Sequence, residues 1–576
     1  MKFKRILPLA QSIQALLGAV LLLDALKVYH HPTIHRATVA LQFQLKYDLT
    51  PFALPLVAVT AIHLAKQRQS KILGSIIIAS LMLYQAFGLK ASVATIALAL
   101  TALITIVERN AVEVAFYTLA SLTAFECIAL AHWAITLPLM GSSLLEEPAF
   151  LELSLFYIVA PLSPLLMLSI LYAWLAKPIV KQHLTPILRY ITVKITRKRN
   201  EAKSLHLNPK IAFALSIILS VIVAAYPYIP SINPKEVPVG VDIRYYAGWT
   251  RMLERDLNNI FTIAGGSRPT ILLLLYALRQ ITGLEPIEVV KWTPILLNPL
   301  LTIITYYMIS RATEDDEWAA LSALITAIGL KATVNMYSYF LTNMLALIFQ
   351  YASITLLAVA IEKREKVALA AAIALSSAAI FTHPWTFTQY YAAIALSLLI
   401  QLLRRAYASS WDEWKVKALL AFLAATGIVD AVKEKFIGAG SYKATQATVI
   451  SQPMYANIME FWNNNIFAFR LLYGGYLSNA VLLAIAALGA YTLSRRGELH
   501  KIIMNLLIVT SITYPFVNGT LQSRLIFNLP IEVLAAQGLL FIVRKITIPK
   551  KLRKIAVAFT ITSTLTYALR SLANLI

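Results

Sequence analysis

Residues 341–360, LTNMLALIFQYASITLLAVA, contain no charged side chain and are long enough to decide the fold class. A helix of about 20 residues rises about 30 Å, which matches the hydrocarbon core of a bilayer. Similar apolar runs recur along the whole 576-residue chain, which is 59% hydrophobic and only 14% charged. Soluble globular proteins carry roughly 25% charged residues. The composition therefore predicts an all-α polytopic membrane protein and excludes a soluble enzyme, a disordered chain and a disulfide-stabilised domain.

Apolar length and the charges that end each run predict about 17 transmembrane helices. With a cytoplasmic N-terminus and strict alternation, about 33 of the Lys and Arg residues fall on the cytoplasmic side and about 13 outside. This asymmetry predicts an integral, multi-pass protein of the plasma membrane, and no cleavable signal peptide is expected. The predicted spans lie near residues 6–28, 51–65, 72–88, 91–107, 112–138, 152–176, 211–229, 289–310, 318–334, 341–360, 367–382, 386–403, 417–432, 468–493, 502–517, 525–544 and 555–572.

The predicted spans fall into two modules. Residues 1–176 form an N-terminal six-helix membrane module of unknown role, and residues 177–210 form a basic cytoplasmic linker that contains KITRKRN. Residues 211–576 hold eleven spans. Residues 269–282, PTILLLLYALRQIT, are apolar but too short to cross a bilayer, so they are predicted to form a re-entrant or outer-interface helix.

The net charge of +23 does not indicate nucleic-acid binding. A nucleic-acid binder needs a contiguous basic stripe, whereas these basic residues lie between the apolar spans. Retention of Lys and Arg in cytoplasmic loops accounts for them, so membrane lipid is the expected partner.

The loop over residues 230–268 holds the main candidate site, and it is predicted to be external. It contains VGVDIRYYAGW, with Asp242 at its centre, and continues into WTRMLERDLNNIF. Over residues 249–261 apolar side chains recur at helical spacing with charged ones opposite, which predicts an amphipathic helix in the membrane interface. Such a helix either only covers the outer end of the helix bundle or forms the outer wall of a cavity. The loop residues expected to line that cavity are Asp242, Arg244, Tyr245, Trp249 and Asp256.

Ionisable residues gather at the predicted outer ends of several spans. A charge at this depth is costly unless it pairs or lines a polar cavity. Each residue alone is explained by a long side chain that extends to the membrane interface or by an ion pair. Because all of them are predicted on the same outer face, a shared polar cavity is favoured. These residues are Lys291, Lys331, His383, Asp430 and Arg524, together with Arg268 at the end of the loop.

Residues 211–576 resemble the GT-C superfamily of polytopic glycosyltransferases, which use polyprenyl-phosphate-linked sugars. The likeness rests on a long external loop with an acidic residue, here Asp242, then a horizontal helix, then Arg268-Pro269 before ILLLLYAL. The pattern SRLIFNLP around Arg524 adds the basic residue that such enzymes often place toward the lipid phosphate. The chain departs from the family where Ile243 follows Asp242 in place of a second acid, and where six spans precede the usual core.

The resemblance implies a GT-C-like bundle that transfers a hexose from a polyprenyl-phosphate donor to an acceptor at the outer face. Such a transfer needs a carboxylate that takes a hydroxyl proton or holds a divalent metal, and Asp242 is the candidate. It also needs cations on the phosphate, and the candidates are Arg268, His383 and Arg524. Trp385 either stacks on a sugar ring or anchors the chain at the interface. The sugar, the acceptor and the use of a metal stay open.

Two carboxylates inside predicted spans support a rival function, secondary transport. Glu126, with His132 in the same span, and Asp24 in the first span could form a proton relay or a simple hydrogen-bonded pair. Transporters commonly contain repeated halves with midplane sites, but this chain has no detectable repeat. A non-catalytic membrane scaffold is the third alternative.

Two loop motifs invite further hypotheses. His30, His31 and His35 with Asp48 form an incomplete metal-binding pattern. Asn518-Gly519-Thr520 is an N-glycosylation sequon on the predicted outer side.

Overall fold

The computed structural model describes residues 2–25, 50–66, 70–108, 110–140, 162–176, 208–408, 412–440, 465, 468, 479–493, 497–517, 519–545 and 550–573. Within these ranges the chain is helical and contains no β-strand. The α-helices are α1 (Lys2–Ala25), α2 (Thr50–Lys66), α3 (Ser70–Glu108), α4 (Ala111–Met140), α5 (Ser163–Leu171), α6 (Pro209–Ala225), α7 (Ile243–Arg255), α8 (Pro269–Thr282), α9 (Pro286–Thr313), α10 (Asp316–Ile328), α11 (Leu330–Ser338), α12 (Leu341–Lys363), α13 (Lys366–Ile380), α14 (Pro384–Ala408), α15 (Glu413–Ile437), α16 (Ala480–Thr492), α17 (Glu498–Thr513), α18 (Gly519–Phe527), α19 (Ile531–Lys545) and α20 (Lys550–Ala573).

Eight helices in the described ranges are long and apolar enough to cross a membrane, and the bent pair α18–α19 would make a ninth. The all-α fold with several candidate membrane-spanning helices is therefore confirmed, whereas the expected count of about 17 spans is not. Several predicted spans coincide with helices that are too short to cross a bilayer unaided. For example, α13 has 15 residues and rises only about 22 Å.

Capping side chains set the starts of several helices. The Asn208 side chain accepts the backbone N–H of Lys210, and Pro209 takes the first position of α6. At the other end of a helix, Gly438 stops α15 with a φ of 72°. The same kind of N-cap begins α10, α15 and α16, at Asp315, Asp412 and Asn479.

Two broken helices meet in the core of the protein. Gly329 separates α10 from α11, and a 53° bend separates α18 from α19. At this point Lys331 Nζ lies 2.8 Å from Glu532 Oε2 and donates to the Leu529 carbonyl at 2.6 Å. Lys331 is only 2% exposed and Glu532 only 1%. A buried ion pair thus joins the two breaks, where both helices lose backbone hydrogen bonds.

The backbones of α16 and α19 almost touch. A Cβ atom on Gly489 would overlap the carbonyl oxygen of Leu534, and one on Gly538 would overlap that of Ile485. Small residues that allow such close approach are typical of helix contacts in membranes. The two glycines therefore fix the distance between these helices.

The predicted amphipathic helix corresponds to α7, with the short 3₁₀ turns Leu257–Phe261 and Ile263–Gly266 after it. Its apolar side is buried at Ile243, Tyr246 and Leu253, and it packs against α8 and α9. The short helix α8 covers the segment predicted to be re-entrant or interfacial. The location of both helices in the membrane interface stays a prediction.

Candidate functional site

The loop that carries Asp242 is attached to the end of α11. The Val241 N–H donates to the Tyr337 carbonyl at 2.8 Å. Gly240 has a φ of 124° and lies so close to the Tyr339 ring that a Cβ atom would overlap it. Asp242 itself precedes α7 and makes no side-chain capping bond. The backbone therefore fixes the position of Asp242 without engaging its carboxylate as a cap.

Asp242 is within electrostatic reach of two cations from distant segments, Arg268 and Arg524. Burial raises the pKa of the Asp242 carboxyl above its ordinary value, and the positive charges of Arg268 and Arg524 oppose that rise. A general base works best when its pKa approaches the working pH. Burial thus shifts the pKa of Asp242 in the direction that a general base requires.

Aromatic residues of α7 hold Arg268 in place. Its Nη1 donates to the Tyr246 hydroxyl at 3.3 Å, and the guanidinium carbon lies 5.4 Å from the centre of the Trp249 ring. The Tyr246 hydroxyl lies in turn 3.1 Å from Thr342 Oγ1. Trp249, which is predicted to line the cavity, therefore contacts Arg268, which is predicted to bind the donor phosphate.

His383 lies between α13 and α14 and is only 3% exposed. Its Nδ1 accepts the Thr386 backbone N–H at 3.3 Å, and Thr386 Oγ1 lies 3.2 Å from Asn528 Oδ1. Burial, together with the charges of Arg524, Arg268 and Lys433, holds the pKa of His383 well below its ordinary value. The imidazole is therefore neutral, and its Nδ1 also lies 3.0 Å from Thr386 Oγ1. A neutral ring carries no positive charge, so His383 is not the cation that the sequence predicted.

Lys433 is a member of this group that was not predicted from the sequence. It is 1% exposed, and its Nζ donates to the Ile380 carbonyl at 2.7 Å and to the Ser267 carbonyl at 3.4 Å. It therefore ties α15 to the end of α13 and to the residue before Arg268. Asp430, which was predicted to line the cavity, is within electrostatic reach of Lys433. Asp430 lies on α15 about one helical turn before Lys433.

An apolar cavity of about 170 Å³ lies between α14, α17 and α18, and α18 also carries Arg524. Trp385 lines it from the start of α14, and Leu521 and Leu525 line it from α18. Leu525 follows Arg524 in the sequence, and Trp385 lies two residues after His383. Phe516, also a lining residue, is 41% exposed. Helices α14 and α18 therefore both line the apolar cavity, while His383 directly precedes α14 and Arg524 lies within α18.

Two predicted lysines are engaged elsewhere in the structure. Lys291 is 3.2 Å from Glu288 and 3.8 Å from Glu236, and its Nζ lies 5.2 Å from the centre of the Tyr228 ring. Lys331 pairs with Glu532 in the core. Neither lysine is among the charges that act on Asp242 or His383. The structure thus gives them ion-pair contacts of their own and does not bring them into the Asp242 group.

The remaining loop candidates face away or support local structure. Asp256 accepts the Asn258 N–H at 2.9 Å and so caps the turn Leu257–Phe261. Tyr245 is 63% exposed, and Arg244 is also exposed.

Metal-ligating side chains do not cluster within the described residues: no three His, Cys, Asp or Glu groups lie close enough to hold an ion. The motif of His30, His31, His35 and Asp48 lies outside the described residues, as do Asn518 and the side chains of Asp24 and His132.

The end of the bundle at which α7 lies, which we call the site end, combines one acid, two arginines and a neutral histidine. These groups come from four separate stretches of sequence, and the helices that follow His383 and hold Arg524 also line an apolar cavity. Comparison of the chain with protein-family models and with curated proteins gives no match.

Proposed function

We propose that the protein is a membrane glycosyltransferase of the GT-C type, which transfers a sugar from a polyprenyl-phosphate donor to an acceptor at the site end. The observation that carries this proposal is that Arg268 and Arg524 act on both Asp242 and His383, while the helices that follow His383 and hold Arg524 line an apolar cavity. A lipid-linked sugar phosphate needs both environments next to each other: polar donors for its phosphate and an apolar surface for its chain.

Arg268 and Arg524 bind the donor phosphate. Negative charge grows on the phosphate oxygen as the bond to the sugar breaks, and fixed cations stabilise that charge in the transition state. Guanidinium groups suit this role because they make paired, charge-assisted hydrogen bonds to phosphate. With its proton on Nε2, the neutral imidazole of His383 would add a further hydrogen-bond donor. The first units of the polyprenyl chain occupy the cavity lined by Trp385 and Leu525.

Asp242 acts on the acceptor. Its carboxylate takes the proton of the acceptor hydroxyl, whose oxygen forms the new bond to the anomeric carbon of the sugar. The bond between that carbon and the phosphate oxygen breaks, and polyprenyl phosphate leaves with the electron pair. The raised pKa of Asp242 favours this proton transfer.

Mass spectrometry of lipid that co-purifies with the protein tests the donor class. We expect polyprenyl phosphate in the wild-type protein, and about 10-fold less in Arg524→Gln, because the loss of one charged hydrogen bond costs about 1.5–3 kcal/mol. Arg251→Gln, which removes an exposed arginine of α7, is the matched control and should retain the lipid. Wild-type protein without polyprenyl lipid, or equal retention in both variants, would argue against the proposal.

The pH dependence of transfer should report the environment of Asp242. The carboxylate must be ionised to act, so activity falls as the pH drops through its pKa, which burial raises above 3.8. Arg268→Gln removes a charge that lowers this pKa, so the acid limb of kcat/KM should move to higher pH. Arg251→Gln should leave the limb in place. If Arg268→Gln slows transfer without moving the limb, Asp242 is not the titrating base.

Secondary transport is the second candidate, and one residue favours it. Glu126 in α4 is fully buried, and neither of its carboxylate oxygens has a hydrogen-bond partner within the described residues. Intramembrane carboxylates of this kind serve as proton sites in transporters. Proton-driven uptake into proteoliposomes that is lost in Glu126→Gln would support transport over transfer.

A further inference from the structure

A second cavity, of about 250 Å³, lies between the other ends of α14 and α17. We call it the far cavity. Arg404, which lines it, follows His383 by almost the whole length of α14, so the two are about 30 Å apart along the helix. The far cavity is therefore separated from the Asp242 group by the thickness of the bundle, and the proposed transferase reaction makes no use of it.

Three basic side chains, Arg404, Lys415 and Lys501, line the far cavity. Lys415 is 4% exposed and contacts Glu498 Oε2, while Lys501 Nζ lies 2.6 Å from Glu498 Oε1. One carboxylate is thus shared by two ammonium groups. The other acid nearby, Glu362, accepts the Glu498 backbone N–H at 2.6 Å. Positive charge is therefore only partly neutralised here.

Arg404 supplies the cation that is best placed for a ligand. It is exposed on the last turns of α14 and has no carboxylate partner within the part of the chain that the structure describes. Its charge and that of Lys501 both act unfavourably on Lys415, so an anion bound among them would relieve this repulsion. A guanidinium group presents a planar set of donors that matches phosphate oxygens.

The neutral lining adds hydrogen-bond donors and an apolar wall. Gln401 and Asn505 are 6% and 5% exposed, and both line the cavity. Asn505 Nδ2 donates to Ser397 Oγ at 2.7 Å, which fixes its side chain. Beyond them, Met504 and Ile508 continue the lining along α17 toward the middle of the bundle. An anionic headgroup at the mouth could therefore place an acyl chain against apolar side chains.

We propose that the far cavity binds a phosphate monoester group, carried by a lipid headgroup or by a small soluble molecule. Its volume lies just below the roughly 300–1,000 Å³ of typical ligand sites, so it takes a headgroup and not a large cofactor. Basic pockets between transmembrane helices are a known setting for anionic headgroups. Arg404 and Lys501 hold the phosphate oxygens, and the buried Lys415–Glu498 pair positions Lys501.

Native mass spectrometry of the full chain from nanodiscs tests this site. The probe is phosphatidic acid mixed with phosphatidylcholine, and glycerol 3-phosphate is the soluble competitor. Wild-type protein should retain phosphatidic acid in preference to phosphatidylcholine. Arg404→Gln/Lys501→Gln should lower that retention at least about 10-fold, because two charged hydrogen bonds are lost. Lys417→Gln should bind like wild type, since Lys417 is on the same helix as Lys415 but is 67% exposed and pairs with Glu413.

The competitor distinguishes the two sources of phosphate. Displacement of phosphatidic acid by glycerol 3-phosphate assigns the site to a soluble phosphate, and retention in its presence assigns it to a lipid. Equal retention of both lipids without binding of glycerol 3-phosphate would overturn the proposal, as would a loss in Lys417→Gln equal to that in the double variant. Should the double variant fail to fold, Arg404→Gln alone carries the test, because its side chain is exposed.

Discussion

Asp242→Asn should abolish sugar transfer while the protein remains folded. The amide has nearly the shape of the carboxylate but cannot take the proton of the acceptor hydroxyl. General-base catalysis contributes about 10²- to 10⁴-fold to the rate, so we expect a loss of that size in kcat. The measurement is transfer from a polyprenyl-phosphate sugar by purified protein in detergent or nanodiscs.

Asp256→Asn is the matched control for this experiment. It makes the same chemical change in the same loop, at a residue whose side chain caps the turn Leu257–Phe261. Asparagine caps helices as well as aspartate does, so this variant should keep its structure and its activity. Wild-type transfer in Asp242→Asn, or equal losses in both variants, would remove Asp242 from the mechanism.

Lys331→Met should strongly destabilise the protein. It leaves the Glu532 carboxylate buried without its partner, and the loss of one member of a buried ion pair costs about 3–5 kcal/mol. The expected result is a large drop in Tm, measured by thermal unfolding in detergent. Lys331→Met/Glu532→Leu should recover most of this stability, since the uncompensated charge is then removed.

Lys417→Met provides the comparison for that prediction. It breaks the pair with Glu413, in which both side chains are about two-thirds exposed. Exposed pairs contribute about 0–1 kcal/mol, so the Tm should barely change. If Lys331→Met were equally mild, the ion pair would not hold the two broken helices together.

The sequence predicts the membrane fold and much of the candidate site for one physical reason. Charges are rare in apolar runs, so each one that occurs at the end of a span is informative. This signal predicts His383 and Arg524, while the long external loop predicts Asp242 and Arg268, and the structure places both arginines within electrostatic reach of Asp242 and of His383. The positions of most helices between residues 208 and 573 also follow from the apolar runs.

Long-range pairing could not be predicted from the same signal. Lys331 and Glu532 are 201 residues apart, and nothing in the local sequence of either indicates the other. Lys433 resembles an ordinary basic residue in the last turns of a helix, although it holds the carbonyls of Ile380 and Ser267. The number of spans could not be predicted from the sequence either. An apolar run indicates only that a segment is buried, and a short helix such as α13 can be buried by protein instead of lipid.

The contact between α16 and α19 has a consequence for how this chain can vary through evolution. Even one methyl group at Gly489 or Gly538 would collide with main-chain atoms of the neighbouring helix, which cannot yield as a side chain can. Orthologues that keep this helix pair must therefore keep glycine at both positions, even where the rest of the lipid-facing surface has diverged.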